Sequence, residues 1–475
     1  MEEIKRSGEE TAAKEISEEK SAEPIPTAKQ GEYRRCSAES PPAEPGQTPA
    51  ESPVQHSLSS LEKAMVASWR TSRKEQAGKI HQMILTRAKT DAKFREECLE
   101  GFDRFLRNSA YFPLKMGAEG KKIAILGWKS PAVGEWDPSG VEKGLAGSEE
   151  AVVYAGEVLA KKGYRVTIYM NPPYFSLWRL PSSNPVYKDC DLFLKESPKS
   201  PDSEEFDAVI AWRHTQFHTA RQRSKKVYFW PHDLASFAFR CDNLTGVFYL
   251  SEFHRKQMTA VCPALSSVPY VISGNGICLE QFSQPKSFSN PLSCIYASNY
   301  SRGLGVLVEI WPEIKQMFPS ATLDIYYGRQ TWGTMKPEEE KELHAKLEAL
   351  RKLDVCERGM VGHQQLAEAF QKTSILTYPC TTEAETFCIT VVKAQAAGMV
   401  PVTTRVGALK ETVHPKAPTV EKITKAKEYR DRLVNVMRRI EKAGASRDEY
   451  IEFGRKYTWE SCVEKWLELI DGKSG

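Results

Sequence analysis

From residue 121 onward, short apolar runs alternate with amphipathic helical stretches. The first run, residues 121–127 (KKIAILG), reads as a buried strand. A loop rich in Gly and Pro follows, through Gly140, Gly144 and Gly147. Ser148 then starts a helix with Ala151, Ala155, Val158 and Leu159 on one face and Gly163 at its end. Further strands are predicted at 164–169, 206–212, 226–230, 247–250 and 268–273. Strands that are apolar throughout, separated by helices, predict a parallel, doubly wound sheet with both faces covered. After Ser273-Gly-Asn-Gly-Ile277 and a linker around Phe282, the rhythm restarts. It predicts strands at 292–298, 323–328, 355–361, 374–378 and 399–404, with a helix from Cys388 to Ala397 stopped by Gly398.

The chain before residue 113 has a different character. Leu61, Met65, Trp69, then Ile80, Met83, Ile84, then Phe94, Cys98, Phe102 and Phe105 keep helical spacing, so residues 59–112 predict two or three amphipathic helices. Residues 1–60 contain Tyr33 as their one aromatic residue, and carry 12 glutamates against seven lysines and arginines. Such a stretch buries too little apolar surface to offset its ordering entropy and is expected to be a disordered tail. With the whole chain at +4 and this tail at −5, the remainder is +9. That excess suits a phosphorylated ligand, an anionic acceptor or a membrane surface, and equally a plain solvated surface. No apolar signal core, Arg-rich transit peptide or 18-residue apolar run stands out, so a cytoplasmic protein without a membrane span is expected. The 11 cysteines have no metal-ligand or disulfide-framework spacing and are read as reduced thiols, with Cys241 and Cys262 in the core.

Candidate chemistry follows from the strand ends, because ligands of open α/β sheets collect at their carboxyl edge. Trp230-Pro-His232-Asp233 leaves a strand directly, so His232 and Asp233 are candidates; alternatively, Asp233 caps a helix beginning at Leu234. His214, His218 and His254 lack such a setting and are read as structural. The loop before the first helix is not Gly-x-Gly-x-x-Gly, and Tyr169-Met-Asn171 offers no acidic residue after the second strand, which argues against a dinucleotide-binding oxidoreductase. In the second half, strand, loop, helix and strand across 374–404 form a βαβ unit. An anion fits at its helix N-terminus, where free backbone N–H groups and the helix dipole converge.

This last block, with Glu385-Thr-Phe387-Cys388-Ile389, Ala394-Gln-Ala-Ala-Gly398-Met-Val-Pro401-Val and Gly407-Ala-Leu-Lys-Glu411, resembles the retaining glycosyltransferases of the GT-B fold, family 4 in particular. Asn299-Tyr-Ser-Arg302-Gly-Leu, Gly362-His363-Gln-Gln-Leu366 and Gly144-Leu-Ala-Gly147-Ser148 resemble other parts of that pattern, and the likeness spans roughly residues 121–471. It implies two Rossmann-like domains facing each other: 118–288 for the acceptor and 289–456 for the donor. Residues 457–475 would return to the first domain, and the disordered tail (1–58) and a helical extension (59–117) would precede both. It implies a nucleoside-diphosphate sugar as donor substrate with no cofactor or metal, and a hydroxyl acceptor that is a glycan, lipid-linked or protein-linked. Peripheral membrane contact is left open, and no nucleic acid is expected. His232, Asp233, Glu385 and Arg302 would be catalytic. Gly147, Ser148, Ser298, Asn299, Gly328, Gly362, His363, Phe387, Cys388, Ile389 and Lys393 would line the donor.

Two departures stand out. The family's second glutamate, which holds the ribose hydroxyls, is Lys393 here, and Ser298-Asn299 stand where one of two phosphate-binding cations would be. Lys393 either bonds the hydroxyl oxygens, reaches a phosphate or turns to solvent. A binding or scaffold protein that keeps the fold without catalysis is therefore the alternative to an active transferase, with an unrelated double-Rossmann protein third.

Overall fold

The computed structural model describes residues 120–129, 134–173, 184–195, 204–283, 288, 290–327, 336–444 and 447–472. The expected tail, the helices over 59–112 and Gly328 lie outside the described residues. All those described belong to one compact unit, His56–Gly475.

The first half is built from β1 (Lys122–Leu126), α1 (Gly140–Lys143), α2 (Gly147–Lys161), β2 (Arg165–Met170), β3 (Val186–Asp189), α3 (Cys190–Lys195), β4 (Ala208–Trp212), α4 (Phe217–Arg221), β5 (Val227–Trp230), β6 (Gly246–Tyr249), α5 (Glu252–Val261) and β7 (Tyr270–Ile272). Its seven strands are ordered β3-β2-β1-β4-β5-β6-β7, and every pair is parallel. All five residues of β4 are buried, as continuous apolar strands between two helical layers must be. The second half contains β8 (Ser293–Ala297), α6 (Leu304–Met317), β9 (Thr322–Tyr326), α7 (Pro337–Leu350), β10 (Val355–Gly359), α8 (His363–Lys372), β11 (Ile375–Tyr378), α9 (Ile389–Ala396), β12 (Val400–Thr404), α10 (Leu409–Thr412), β13 (Thr419–Val420) and α11 (Ala426–Ala443). These strands form a second parallel sheet, β10-β9-β8-β11-β12-β13.

Strand order reverses between β1 and β4 in one sheet and between β8 and β11 in the other. Each reversal leaves the helices on opposite faces and opens a crevice at the carboxyl ends. Two short helices close the chain, α12 (Asp448–Gly454) and α13 (Trp459–Asp471). α13 packs on the first sheet: Trp466 stacks on Phe248 with ring centroids 4.9 Å apart and meets Trp230 edge-on at 4.5 Å. Asp471 at its end accepts from Lys121 Nζ at 2.7 Å and from the Tyr164 hydroxyl at 2.9 Å.

Several local expectations are revised. The strand β3 was not among those expected, because Val186-Tyr-Lys-Asp189 is a four-residue edge strand of two buried apolar residues followed by two polar ones, too short to show a period or an apolar run. No helix follows Asp233; residues 234–239 run as loop, so Asp233 caps nothing. Cys388 precedes its helix instead of starting it. Among the described residues, no helix is long and apolar enough to cross a membrane.

Candidate functional site

At the second crevice, the loop after β8 turns sharply. Asn299 Oδ1 accepts from the Ser301 N–H and hydroxyl, both at 2.9 Å, which fixes a short 3-10 turn over Tyr300–Arg302. Gly303 follows at φ 110°, and a Cβ there would lie 1.9 Å from the Pro379 carbonyl oxygen. Only glycine permits that approach. It brings Arg302 Nη1 to 3.6 Å from Glu385 Oε2, which also accepts from the Tyr378 hydroxyl at 2.7 Å. Burial opposes the Arg302 charge, but Glu385 and its neighbours outweigh it and hold the guanidinium protonated. Glu385 is placed from behind as well: its carbonyl accepts from Ala408 N at 2.9 Å, and Gly407, at φ 55°, admits no Cβ without approaching that carbonyl to 2.6 Å. Cys388 sits in the left-handed region at φ 66°. Its thiol is buried and pushed well above the usual range, mainly by desolvation, as for a thiol held in the core. Neither α6 nor α9 has a side-chain cap at its N-terminus, so both leave backbone N–H groups facing this crevice.

The first crevice is organised by Arg213, a residue without a motif to announce it. It lies just past β4 at φ 64° and is 7% exposed. Its guanidinium donates to Asp233 Oδ2 (Nε at 2.7 Å), Glu149 Oε1 (3.3 Å) and Ser148 Oγ (3.4 Å). Burial pushes the Glu149 carboxyl up to about 7, with Arg213 pulling against that rise. His232 lies between Trp230 and Trp212, with ring centroids 4.6 and 6.2 Å away. Desolvation, with the Arg213 charge adding to it, pushes its pKa far down, so the imidazole is neutral. Its Nε2 has no hydrogen-bond partner among the described residues. A cavity of about 310 Å³ opens beside these groups, walled by Trp128, Phe229, Phe237 and Phe239 as well as Arg213 and Asp233. His254 behaves as the structural residue expected, buried in α5 with Nε2 3.2 Å from the Asp233 carbonyl.

The two crevices meet along the loop that carries Glu385. Thr386 Oγ1 donates to the His232 carbonyl at 3.2 Å, and Ser251 Oγ donates to the Thr386 carbonyl at 2.8 Å. Phe387 fills the space over Gly274, where a Cβ would come within 2.9 Å of its ring. Glu411 caps α5 of the opposite domain, accepting from Glu252 N at 2.8 Å and Phe253 N at 2.7 Å.

Lys393 does not turn to solvent: its ammonium is buried and lies 2.5 Å from Glu150 Oε1, in α2 of the first domain. His363 is buried too, at the start of α8. Its Nε2 sits 3.1 Å from the Leu145 carbonyl and 3.4 Å from Glu150 Oε2, and burial holds its pKa down despite Glu150. Gly362 touches Glu142, and Gly147 touches Ile389. The sequence had offered Gly147, Gly362, His363, Ile389 and Lys393 as one ligand-lining group. The structure brings them to one seam, where Gly362, His363, Ile389 and Lys393 meet residues 142–150 of the first domain, Gly147 among them.

Residues 280–457 match the family model described as glycosyl transferases group 1. The second half thus resembles a glycosyl transferases group 1 domain. Arg302, Glu385, His363 and Lys393 all belong to this group 1 domain, whereas Glu149, Glu150, Arg213 and His232 face it from outside. No curated protein matches the sequence. Among solved structures, Anabaena HepE in complex with UDP is similar at a TM-score of 0.56 and 12% identity, over 74% of this chain and 100% of that one. Sucrose-phosphate synthase from Thermosynechococcus elongatus gives 0.53 and 15%, over 74% and 99%. The lipopolysaccharide outer core galactosyltransferase WaaB gives 0.52 and 11%, over 74% and 99%. The group 1 domain and the domain before it thus share the GT-B fold of these structures.

Proposed function

We propose that the protein is a retaining, metal-independent glycosyltransferase that moves a sugar from a nucleoside-diphosphate sugar to a hydroxyl of a glycan or lipid-linked acceptor. The observation that carries this reading is the Arg302–Glu385–Tyr378 cluster, held at the carboxyl edge of the group 1 domain between two uncapped helix N-termini. Breaking a sugar–phosphate bond leaves growing negative charge on the diphosphate. A fixed guanidinium and pre-oriented N–H groups stabilise such charge without reorganising. The Glu385 carboxylate accepts hydrogen bonds from sugar hydroxyls and so fixes the donor's orientation. Across the crevice, the neutral His232 and the Arg213–Asp233 pair border a cavity with aromatic walls that can take a sugar ring of the acceptor. With the leaving phosphate drawing the acceptor proton on the same face, configuration at the anomeric carbon is retained. The fold neighbour HepE, solved with UDP and with UDP-glucose, makes uridine the first base to test.

The test is to incubate the full chain with a panel of nucleotide sugars and follow the anomeric protons by NMR. A product with the donor's anomeric configuration supports the reading, and an inverted product refutes it. A second reading, a binding protein without turnover, is favoured by one observation: Lys393 is committed to Glu150 instead of facing a ligand. Binding of a nucleotide sugar with no release of nucleoside diphosphate would select it.

A further inference from the structure

The cavity of about 310 Å³ at the carboxyl edge of the first sheet has walls that restrict what it can hold. Trp128 supplies aromatic surface on one wall. Phe237 stands on another at 70% exposure, more than any other large apolar side chain among the described residues. An aromatic ring left that far in water on a cavity wall gains by being covered. The charges, in contrast, are already paired. Arg213 is the one Lys or Arg among the described lining residues, and its guanidinium is engaged by Asp233, Glu149 and Ser148. It places Nε at 2.7 Å and Nη2 at 2.6 Å from Asp233 Oδ2. The two imidazoles on the wall carry no charge at neutral pH: burial pushes His214 down to about 4 and His232 well below its ordinary value. Asp233 reaches solvent at this wall, with its side chain 52% exposed. Because Arg213 holds Oδ2, its Oδ1 keeps its capacity to accept a hydrogen bond.

We propose that this cavity selects an uncharged hydroxyl compound with an apolar face, and turns away the carboxylate or phosphate form of the same compound. As the seat of an acceptor it rests on the transferase reading above; as a binding site it stands on its own walls. An apolar face laid on Phe237 and Trp128 removes surface from water on both partners. Asp233 Oδ1 accepts a hydroxyl hydrogen and fixes which way the compound lies. An anion fares worse at every step. It gives up hydration beside the Asp233 carboxylate, and no unpaired cation among the described lining residues replaces what it loses. It reaches Arg213 only by displacing a carboxylate already in place, which leaves that carboxylate without its partner.

Calorimetry on the full chain tests this with matched probes: phenyl glucoside and phenyl galactoside, their uronic-acid counterparts, and the two methyl glycosides. The phenyl glycosides should bind roughly tenfold or more tightly than the methyl glycosides, which lack the apolar face. They should bind the wild type tighter than the uronic acids by roughly the same factor. Phe237→Ala truncates an exposed side chain, so the fold is spared, and it should bring the phenyl glycosides down to the methyl level. Asp233→Asn removes the carboxylate and leaves the Arg213 charge less balanced, so uronic-acid binding should rise by about tenfold. Uronic acids that bind the wild type as tightly as their parents, methyl glycosides that match the phenyl ones, or no binding by any probe would each overturn the proposal. So would uronic-acid binding that Asp233→Asn leaves unchanged. Adding nucleotide sugars separates the two readings. Selective binding of the phenyl glycosides with no nucleoside diphosphate released from any donor would uphold the cavity's selectivity and refute the transferase reading. Sugar transfer to the uronic acids as fast as to the phenyl glycosides would uphold the transferase and overturn the selectivity.

Discussion

On the proposed reading, Arg302 is the residue on which the chemistry turns. Its charge is held in place by Glu385, and it is the cation of the 299–304 loop, where Ser298 and Asn299 offer no second one. Arg302→Ala should lower kcat/KM by about two to three orders of magnitude, since one fixed donor to a developing anion is worth about 3–4 kcal/mol. A thermal melt close to wild type would show that the fold survives. Glu149 gives a second prediction. Its carboxyl titrates near 7 in the folded protein, well above its ordinary value, so the folded state holds a proton that the unfolded chain has released. The stability this contributes is therefore complete below the ordinary carboxylate range and is lost as pH rises through about 7. Melting temperatures compared between wild type and Glu149→Gln should diverge from pH 5 to pH 7, by up to about 3 kcal/mol in stability. A constant difference would mean that Glu149 does not titrate there. Arg302 and Glu385 were legible in the sequence because they sit in an ordered string of motifs. Arg213, Glu149 and Glu150 were not. Two acids in a helix's first turn ordinarily balance the helix dipole at the surface, and nothing local reveals that one meets Arg213 and the other Lys393.

Among the elements, the parallel strands were the plainest to read, because a strand buried on both faces is apolar from end to end, as in Ala208–Trp212. The edge strands Val186–Asp189 and Thr419–Val420 escaped because they are four and two residues long, too short for a period to show, and their pairing depends on a neighbour elsewhere in the sequence. The turns that aim the site depend on glycines whose need is visible only in three dimensions. Gly303→Ala would force a Cβ into the Pro379 carbonyl at a backbone angle that alanine disfavours. It should cost about 2–4 kcal/mol of stability and reduce activity out of proportion, because Arg302 moves with the turn. Chemical denaturation beside steady-state kinetics would check both. The closing helix α13 offers a cleaner element-scale test. Trp466 is fully buried against Trp230 and Phe248, so Trp466→Ala should destabilise by about 3–5 kcal/mol. Little change would mean that α13 is loosely held.

For the whole molecule, the strand rhythm and the restart after Phe282 made a two-sheet architecture readable. How tightly the two crevices face each other was not, since it depends on contacts such as Thr386 to His232 and Lys393 to Glu150. The acidic, aromatic-poor residues 1–58 should be dispensable: a chain starting at residue 59 should express and melt as the full one does, and a lowered melting temperature would reverse that expectation. The central claim is that the crevice between the domains breaks a sugar–phosphate bond. It is tested most directly by measuring nucleoside diphosphate released from UDP-sugars and other nucleotide sugars by the full chain and by Arg302→Ala. The account predicts release by the wild type from at least one donor, reduced about a hundredfold or more in the variant. Release that is equal in both proteins, or absent from the wild type with every donor, would contradict it.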